Sequence, residues 1–166
     1  MKRQLLALFF PLVLGAGAAG QSYLVHPPQY KNLEGESSTS YPFYYHATNA
    51  AYRQMIYQQV HDNLSKTPLP LKGIAFRRDV WQLYTWPAWS ADVELSVSHS
   101  PQGITSTTLS RTFAANMGKD ATVVIAKKKV RFPPTVGTGP FPRPFAFNLP
   151  FDTGKIFLYK GGGRSL

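Results

Sequence analysis

The sequence predicts an all-β domain, two antiparallel sheets packed as a β-sandwich. Three observations point there. Short β-branched or aromatic runs recur at fairly regular intervals between Pro, Gly and Asn positions, which is the punctuation of sandwich strands and not of a helical bundle. Aromatic residues make up 14% of the chain and prolines number 14, a composition that suits half-buried pleated surfaces joined by fixed turns. Cysteine is absent, so no disulfide restricts the unfolded chain and the domain must rest on its apolar core.

The first segment is not part of that domain. Lys2 and Arg3 precede an apolar run from Leu5 to Leu14, followed by the small residues of Gly15 to Gly20. A charged end, a short apolar segment and small residues that fit the peptidase form the layout of a secretory signal peptide. A membrane span needs about 20 apolar residues, and Pro11 interrupts this shorter run, so an uncleaved anchor is the weaker reading. Residues 1–20 are therefore expected to be a signal peptide, and the mature chain, starting near Gln21, to be secreted or held in the cell envelope with no stable transmembrane segment. Its length suits one domain.

Residues 21–40 are polar and turn-rich, with Pro27-Pro28 and the run Glu34 to Ser40, and read as a flexible lead-in. The sandwich domain is expected over 41–160, opening on Tyr41, Phe43, Tyr44 and Tyr45, where Pro42 suits a strand start or edge. Ala47 to Asp62 is ambiguous: Tyr52, Ile56 and Val60 recur at helical spacing, while Arg53 to Val60 also alternates as a strand would. Five strands follow, at Leu71 to Phe76, Ala91 to Ser98, Ser106 to Phe113, Thr122 to Phe132 and Phe145 to Leu149. Within Ala91 to Ser98, Val93, Leu95 and Val97 share one face while Asp92, Glu94 and Ser96 share the other. Val123-Val124-Ile125 reads as buried strand that leaves the core at Lys127-Lys128-Lys129. Pro133-Pro134, Gly137, Gly139-Pro140, Pro142 and Pro144 make a loop, because proline fixes φ and lacks the ladder donor. Residues 161–166, with three consecutive glycines, read as a flexible tail unless something pins them.

Loss of Lys2 and Arg3 would leave 16 basic against 8 acidic side chains, a balance that favours anionic partners such as lipid headgroups or acidic polysaccharide over neutral ones. The missing cysteines also exclude a thiol nucleophile, cysteine-held zinc and thioether-attached haem. No Gly-x-Ser-x-Gly elbow and no phosphate-cradling glycine loop are present.

The most suggestive candidate binding residues are Trp81, Tyr84, Trp86 and Trp89, interleaved with Pro87 between two expected strands. Flat rings on a rigid loop bury well against apolar sugar faces; the alternative is that they cap or fill the sandwich. Lys127, Lys128, Lys129 and Arg131 form a basic stretch able to engage phosphate or uronate, or simply a solvated edge that blocks pairing with another chain. Nucleic acid is disfavoured, because basic and aromatic residues do not interleave there as a single-strand groove requires. Arg77, Arg78 and Asp79 read as a structural ion pair, since an arginine fork grips a carboxylate bidentately.

Catalytic and metal readings find less. Asp92 and Glu94 share an exposed strand face, and Glu34 and Glu36 lie in the lead-in, so neither pair is placed like a glycosidase couple. His26, His46, His61 and His99 show no ligand spacing and are expected at the surface or half-buried; His61-Asp62 is the closest approach to a ligand pair. No catalytic residue, metal or cofactor is assigned.

Several segments resemble a family of exported bacterial proteins of uncharacterised activity, many of which end in a Pro-Glu-Pro sorting signal. The similar pieces are Arg53 to Val60, Ile74 to Asp79, Ala91 to Ser96, Leu109 to Asp120 with Val123-Val124, and Phe145 to Phe151, in the family's order over about two thirds of the mature chain. The resemblance implies a secreted sandwich of jelly-roll character and favours strand for Arg53 to Val60. The family pattern continues into a further apolar strand beyond the point where this chain stops, so the sheet is expected to be incomplete there, with an open edge inviting self-association, unless Asp152 to Tyr159 closes it. The function expected is a non-catalytic interaction or structural module at or outside the cell surface, acting on carbohydrate or an anionic surface. The alternative is a carbohydrate-active or metal-dependent enzyme whose site assembles only in three dimensions.

Overall fold

A computed structural model of the chain describes residues 23–34, 55–78, 85–139 and 141–166. The expected signal peptide, the aromatic cluster Tyr41 to Tyr45 and the first half of the ambiguous stretch lie outside the described residues. Among the described residues there are six strands: β1 (Leu69–Leu71), β2 (Gly73–Arg77), β3 (Trp89–Val97), β4 (Thr122–Phe132), β5 (Phe145–Pro150) and β6 (Phe157–Tyr159). They form three antiparallel pairs, β1 with β6, β2 with β5 and β3 with β4, none closed into a barrel. The only helical pieces among the described residues are 3-10 turns at Pro28–Lys31 and Phe113–Asn116.

β1 and β2 are one extended run broken at Lys72. Its partner strand β5 reaches Pro150, opposite Gly73, and the chain then makes an excursion before β6 resumes opposite Leu71 at Phe157. The Phe151 N–H donates to the Lys72 carbonyl at 2.8 Å, which continues the ladder across the break. Inside the excursion, the Asp152 N–H donates to the Val124 carbonyl at 2.8 Å, and the Ala126 N–H donates to the Asp152 carboxylate at 2.7 Å. One side chain thus ties the β5–β6 connection to the edge of β4.

The alternation expected in β3 holds: Trp89, Ala91, Val93, Leu95 and Val97 turn inward while Ser90, Asp92, Glu94 and Ser96 are exposed. β4 is less regular. Val93 pairs with Lys128, Leu95 with Ile125 and Ser96 with Val123, so β4 advances one residue more than β3 at each of two bulges. A bulge rotates the following side chains relative to the pleat, and this brings the consecutive Val124 and Ile125 both inside at 0% exposure, while Val123 is 45% exposed. All three had been expected inside.

The core joins both ladders. Val97, Val124, Ile125, Phe132, Phe147, Leu149, Phe151 and Phe157 form one buried cluster, flanked by Leu71, Ile74, Phe76 and Trp89. Phe132 of β4 meets Phe147 of β5 edge to face at 5.8 Å, a favoured aromatic arrangement.

Two strand expectations are corrected, and two flanking segments gain contacts. Ser106 to Phe113 is not a strand but a series of turns ending in a 3-10 turn, because its hydroxyls satisfy the local backbone: the Thr105 N–H donates to Thr108 Oγ1 at 2.8 Å and the Thr108 hydroxyl donates to the Gly103 carbonyl at 2.6 Å. Such local bonds compete with a ladder. Residues 55–60 are neither strand nor helix; Gln58 instead bonds Asn116 and the Phe113 carbonyl. Within the lead-in, residues 23–34 lie against the strands, with Tyr23 stacked on Phe145 at 6.4 Å and Glu34 buried. Residues 161–166 are pinned: His61 and Leu166 exchange backbone hydrogen bonds of 2.9 and 3.0 Å, and the Ser100 N–H donates to the Ser165 carbonyl. The glycines make that path possible, since Gly161 has φ +71° and lies against the Lys66 and Thr67 backbone.

Candidate functional site

Trp81 and Tyr84 lie outside the described residues. Trp86 is half-buried beside the proline-rich loop, where it exchanges backbone hydrogen bonds of 2.9 and 3.0 Å with Thr135. The Arg78 guanidinium lies 4.7 Å from its ring centroid. Trp89 does not share that setting. As the first inward residue of β3 it stacks on Phe132 at 4.5 Å and packs against the core, so strand alternation turns this indole away from any common shelf with Trp86.

Asp79 also lies outside the described residues, and the two arginines beside it make other contacts. Arg77 sits 4.1 Å over the Phe145 ring, a cation–π contact. Arg78 is 6% exposed and donates through Nη1 to Thr135 Oγ1 at 2.8 Å. Desolvation first, and the neighbouring Arg143 charge second, push its guanidinium below the ordinary arginine value. Arg143, 8% exposed, clamps its own loop by donating to the Val136 and Gly137 carbonyls at 2.7 and 2.6 Å. Its backbone N–H donates to the Glu34 carboxylate. Glu34, expected in a lead-in unable to hold geometry, is therefore a buried acceptor, and neither it nor Arg143 could be singled out from the sequence because 109 positions separate them.

The basic stretch divides by strand face. Lys127, Lys129 and Arg131 are alternate, exposed residues of β4. Lys128 projects from the other face and pairs with Asp152. Across the ladder, Arg131 faces Ser90 and Lys129 faces Asp92. Side chains paired in this way share a face, so the carboxylates of Asp92 and Glu94 border the basic row.

Of the described histidines, His99 departs furthest from expectation, being 3% exposed. Its Nδ1 lies 2.5 Å from the Asp120 carboxylate, and its Nε2 accepts the Lys160 N–H at 2.9 Å. These partners fix the tautomer: the proton sits on Nδ1. The ring also packs on Phe157 and Tyr159 at 5.2 and 5.5 Å. An aspartate–histidine pair with a free second nitrogen would make a general base, but here both nitrogens are committed and the pair is structural. Burial alone would raise the Asp120 carboxyl; the side-chain and backbone hydrogen bonds from His99 outweigh it and hold the group below the usual carboxylate range.

Asp62 is committed in the same way. It accepts from the Ser106 N–H and hydroxyl and from the Ser165 hydroxyl at 2.6 Å. Desolvation opposes its ionisation, yet these hydrogen bonds keep its carboxyl below the ordinary range. His61 beside it meets His26, with Nδ1 atoms 3.2 Å apart. Desolvation first, then His26, lower the His61 value against an opposing pull from Asp62. His46 lies outside the described residues. Among the described residues no group of three or more His, Asp or Glu side chains gathers to hold a metal ion, and no helix is long and apolar enough to cross a membrane.

No family model, curated protein or solved structure matches the chain.

Proposed function

We propose that the protein is an exported, non-catalytic interaction module that binds acidic carbohydrate or a similar anionic surface at or outside the cell envelope. The observation that carries this reading is the exposed row of Lys127, Lys129 and Arg131 on one face of the β3–β4 pair. Successive members of such a row stand about 6.6 Å apart along a strand, a spacing suited to a repeating polyanion. The signal-peptide layout supports export, and the family resemblance supports closure of the strand pairs into a jelly-roll sandwich. A binding role is supported over catalysis by the commitment of Asp62, Asp120, Asp152 and His99 to internal hydrogen bonds. Trp86, bridged to Thr135 and covered by Arg78, is better placed than Trp89 to border a ligand.

The test compares the wild type with a Lys127→Gln/Lys129→Gln/Arg131→Gln variant on sulfated, uronate-rich and neutral polysaccharide columns under rising salt. Retention is expected on both anionic matrices and not on the neutral one, with earlier elution of the variant, because exposed charge pairs weaken as the Debye length shortens. Equal retention of wild type and variant would remove the basic row from this reading.

A further inference from the structure

We propose that His26 and His61 form a binding site for a borderline divalent cation, Zn²⁺, Ni²⁺ or Cu²⁺, which joins the 23–34 segment to the strand body. The two rings meet edge to face at 83°, with Nδ1 atoms 3.2 Å apart and ring centroids 5.2 Å apart. Two imidazole nitrogens bound to one zinc ion at 2.0–2.1 Å, with a tetrahedral angle between the bonds, stand about 3.3 Å apart, and their ring centres about 5.2 Å apart. Where one Nδ1 carries a proton the same contact is an N–H···N hydrogen bond, and a metal ion would take the place of that proton. Both observed distances agree with lone pairs that converge on a shared point.

The surroundings favour the same ion. Imidazole is a preferred ligand of these metals, and it binds them in its neutral form. Both rings are half-buried, so an ion held between them is partly shielded from water. The His61 backbone is held by its reciprocal hydrogen bonds with Leu166, which fixes one ligand before the ion arrives. Asp62 is engaged by Ser106 and Ser165; it adds negative charge beside the site without being a ligand. The two imidazoles leave the remaining coordination positions to water or to donors of a bound anion. The sequence conceals this pair because its members lie 35 positions apart and follow no ligand spacing.

The experiment is equilibrium dialysis of the full chain at neutral pH against Zn²⁺ and, separately, Cu²⁺, with bound metal measured per chain and the Cu²⁺ form examined by electron paramagnetic resonance. The expected result is one ion per chain, nitrogen hyperfine structure from imidazole, and a rise in melting temperature on adding Zn²⁺. His26→Ala and His61→Ala should each weaken binding by about tenfold or more and abolish the thermal shift. His26→Ala carries the test if His61→Ala fails to fold, because His26 belongs to a segment outside the buried core. Absence of stoichiometric binding in the wild type overturns the proposal, as does unchanged affinity in a folded His26→Ala variant, which would mark adventitious metal elsewhere on the chain.

Discussion

The His99 Nδ1–H donates a hydrogen bond to the Asp120 carboxylate at 2.5 Å while the Asp120 Oδ1 also accepts the His99 backbone N–H at 3.1 Å. One aspartate thus holds both the ring and the backbone of a residue two positions past the end of β3, and the other ring nitrogen holds the Lys160 N–H just after β6. The end of the β3–β4 pair is fastened through one imidazole to the end of the β1–β6 pair. Gly118 completes the fit, since a Cβ there would collide with the His99 carbonyl.

Replacing His99 with Ala should destabilise the protein by about 3 kcal/mol, through a cavity beside Phe157 and Tyr159 and an unsatisfied Lys160 N–H. Denaturant unfolding checks the size of the loss. A surface histidine would give a change within about 0.5 kcal/mol, so the measurement separates a structural hub from a bystander.

The same pair sets an acid limit. The Asp120 carboxyl is held below its usual range in the folded state, against the desolvation that opposes it, so the unfolded chain binds more protons in the window between the two values. Its contribution to stability is complete above the unfolded value of about 3.9 and is lost as pH falls through the lower folded value. Unfolding followed from neutral pH into that window should show a steeper decline for the wild type than for Asp120→Asn. Parallel curves would count against the assignment.

Asp152 offers a local readout. Its carboxylate accepts the Ala126 N–H at 2.7 Å at a bulge of β4 and also pairs with Lys128. Asp152→Ala should leave the Ala126 amide open to water, and hydrogen exchange there should accelerate relative to amides in the middle of the β2–β5 pair.

The glycines after β6 are not equivalent. Gly161 combines φ +71° with a Cβ position only 2.7 Å from the Thr67 carbonyl carbon, whereas Gly162 has φ +69° and open space around it. Gly162→Ala should therefore lose about 1 kcal/mol, the left-handed backbone term alone, and Gly161→Ala clearly more, because backbone must also move. Thermal melts of the two variants compare them directly.

The long strands were legible in the sequence because their signals are local. Val93, Leu95 and Val97 alternate with Asp92, Glu94 and Ser96, and β4 spans the expected Thr122–Phe132. What stayed hidden depends on partners distant along the chain. Phe157–Tyr159 has too few residues to show a period and becomes a strand by pairing with Leu69–Leu71. The Ser106 to Phe113 run has strand-forming residues, but its hydroxyls and the buried Asn116 side chain, which accepts the Ser110 N–H at 2.8 Å, draw the backbone into turns. At the candidate sites, Lys127, Lys129 and Arg131 could be read as exposed from sequence alone. The burial of Arg78 against Thr135 and the contact of His26 with His61 could not, since each joins residues whose approach is set by the whole fold.

Cross-strand register gives the basic row a built-in brake. Lys129 stands opposite Asp92, so part of the field that would attract an anionic ligand is offset by a carboxylate on the same face. Removing that carboxylate should strengthen binding without touching any cationic residue. Asp92→Asn is therefore expected to elute later than wild type from a sulfated or uronate-rich matrix at low salt, with the difference vanishing once screening shortens the Debye length to about 3 Å near 1 M salt. Asp92 is exposed and outside the core, so the variant should unfold within about 0.5 kcal/mol of wild type, and a change in retention would report charge rather than fold. If Asp92→Asn elutes together with wild type on every anionic matrix, the exposed face of β3 and β4 is not where the anion binds.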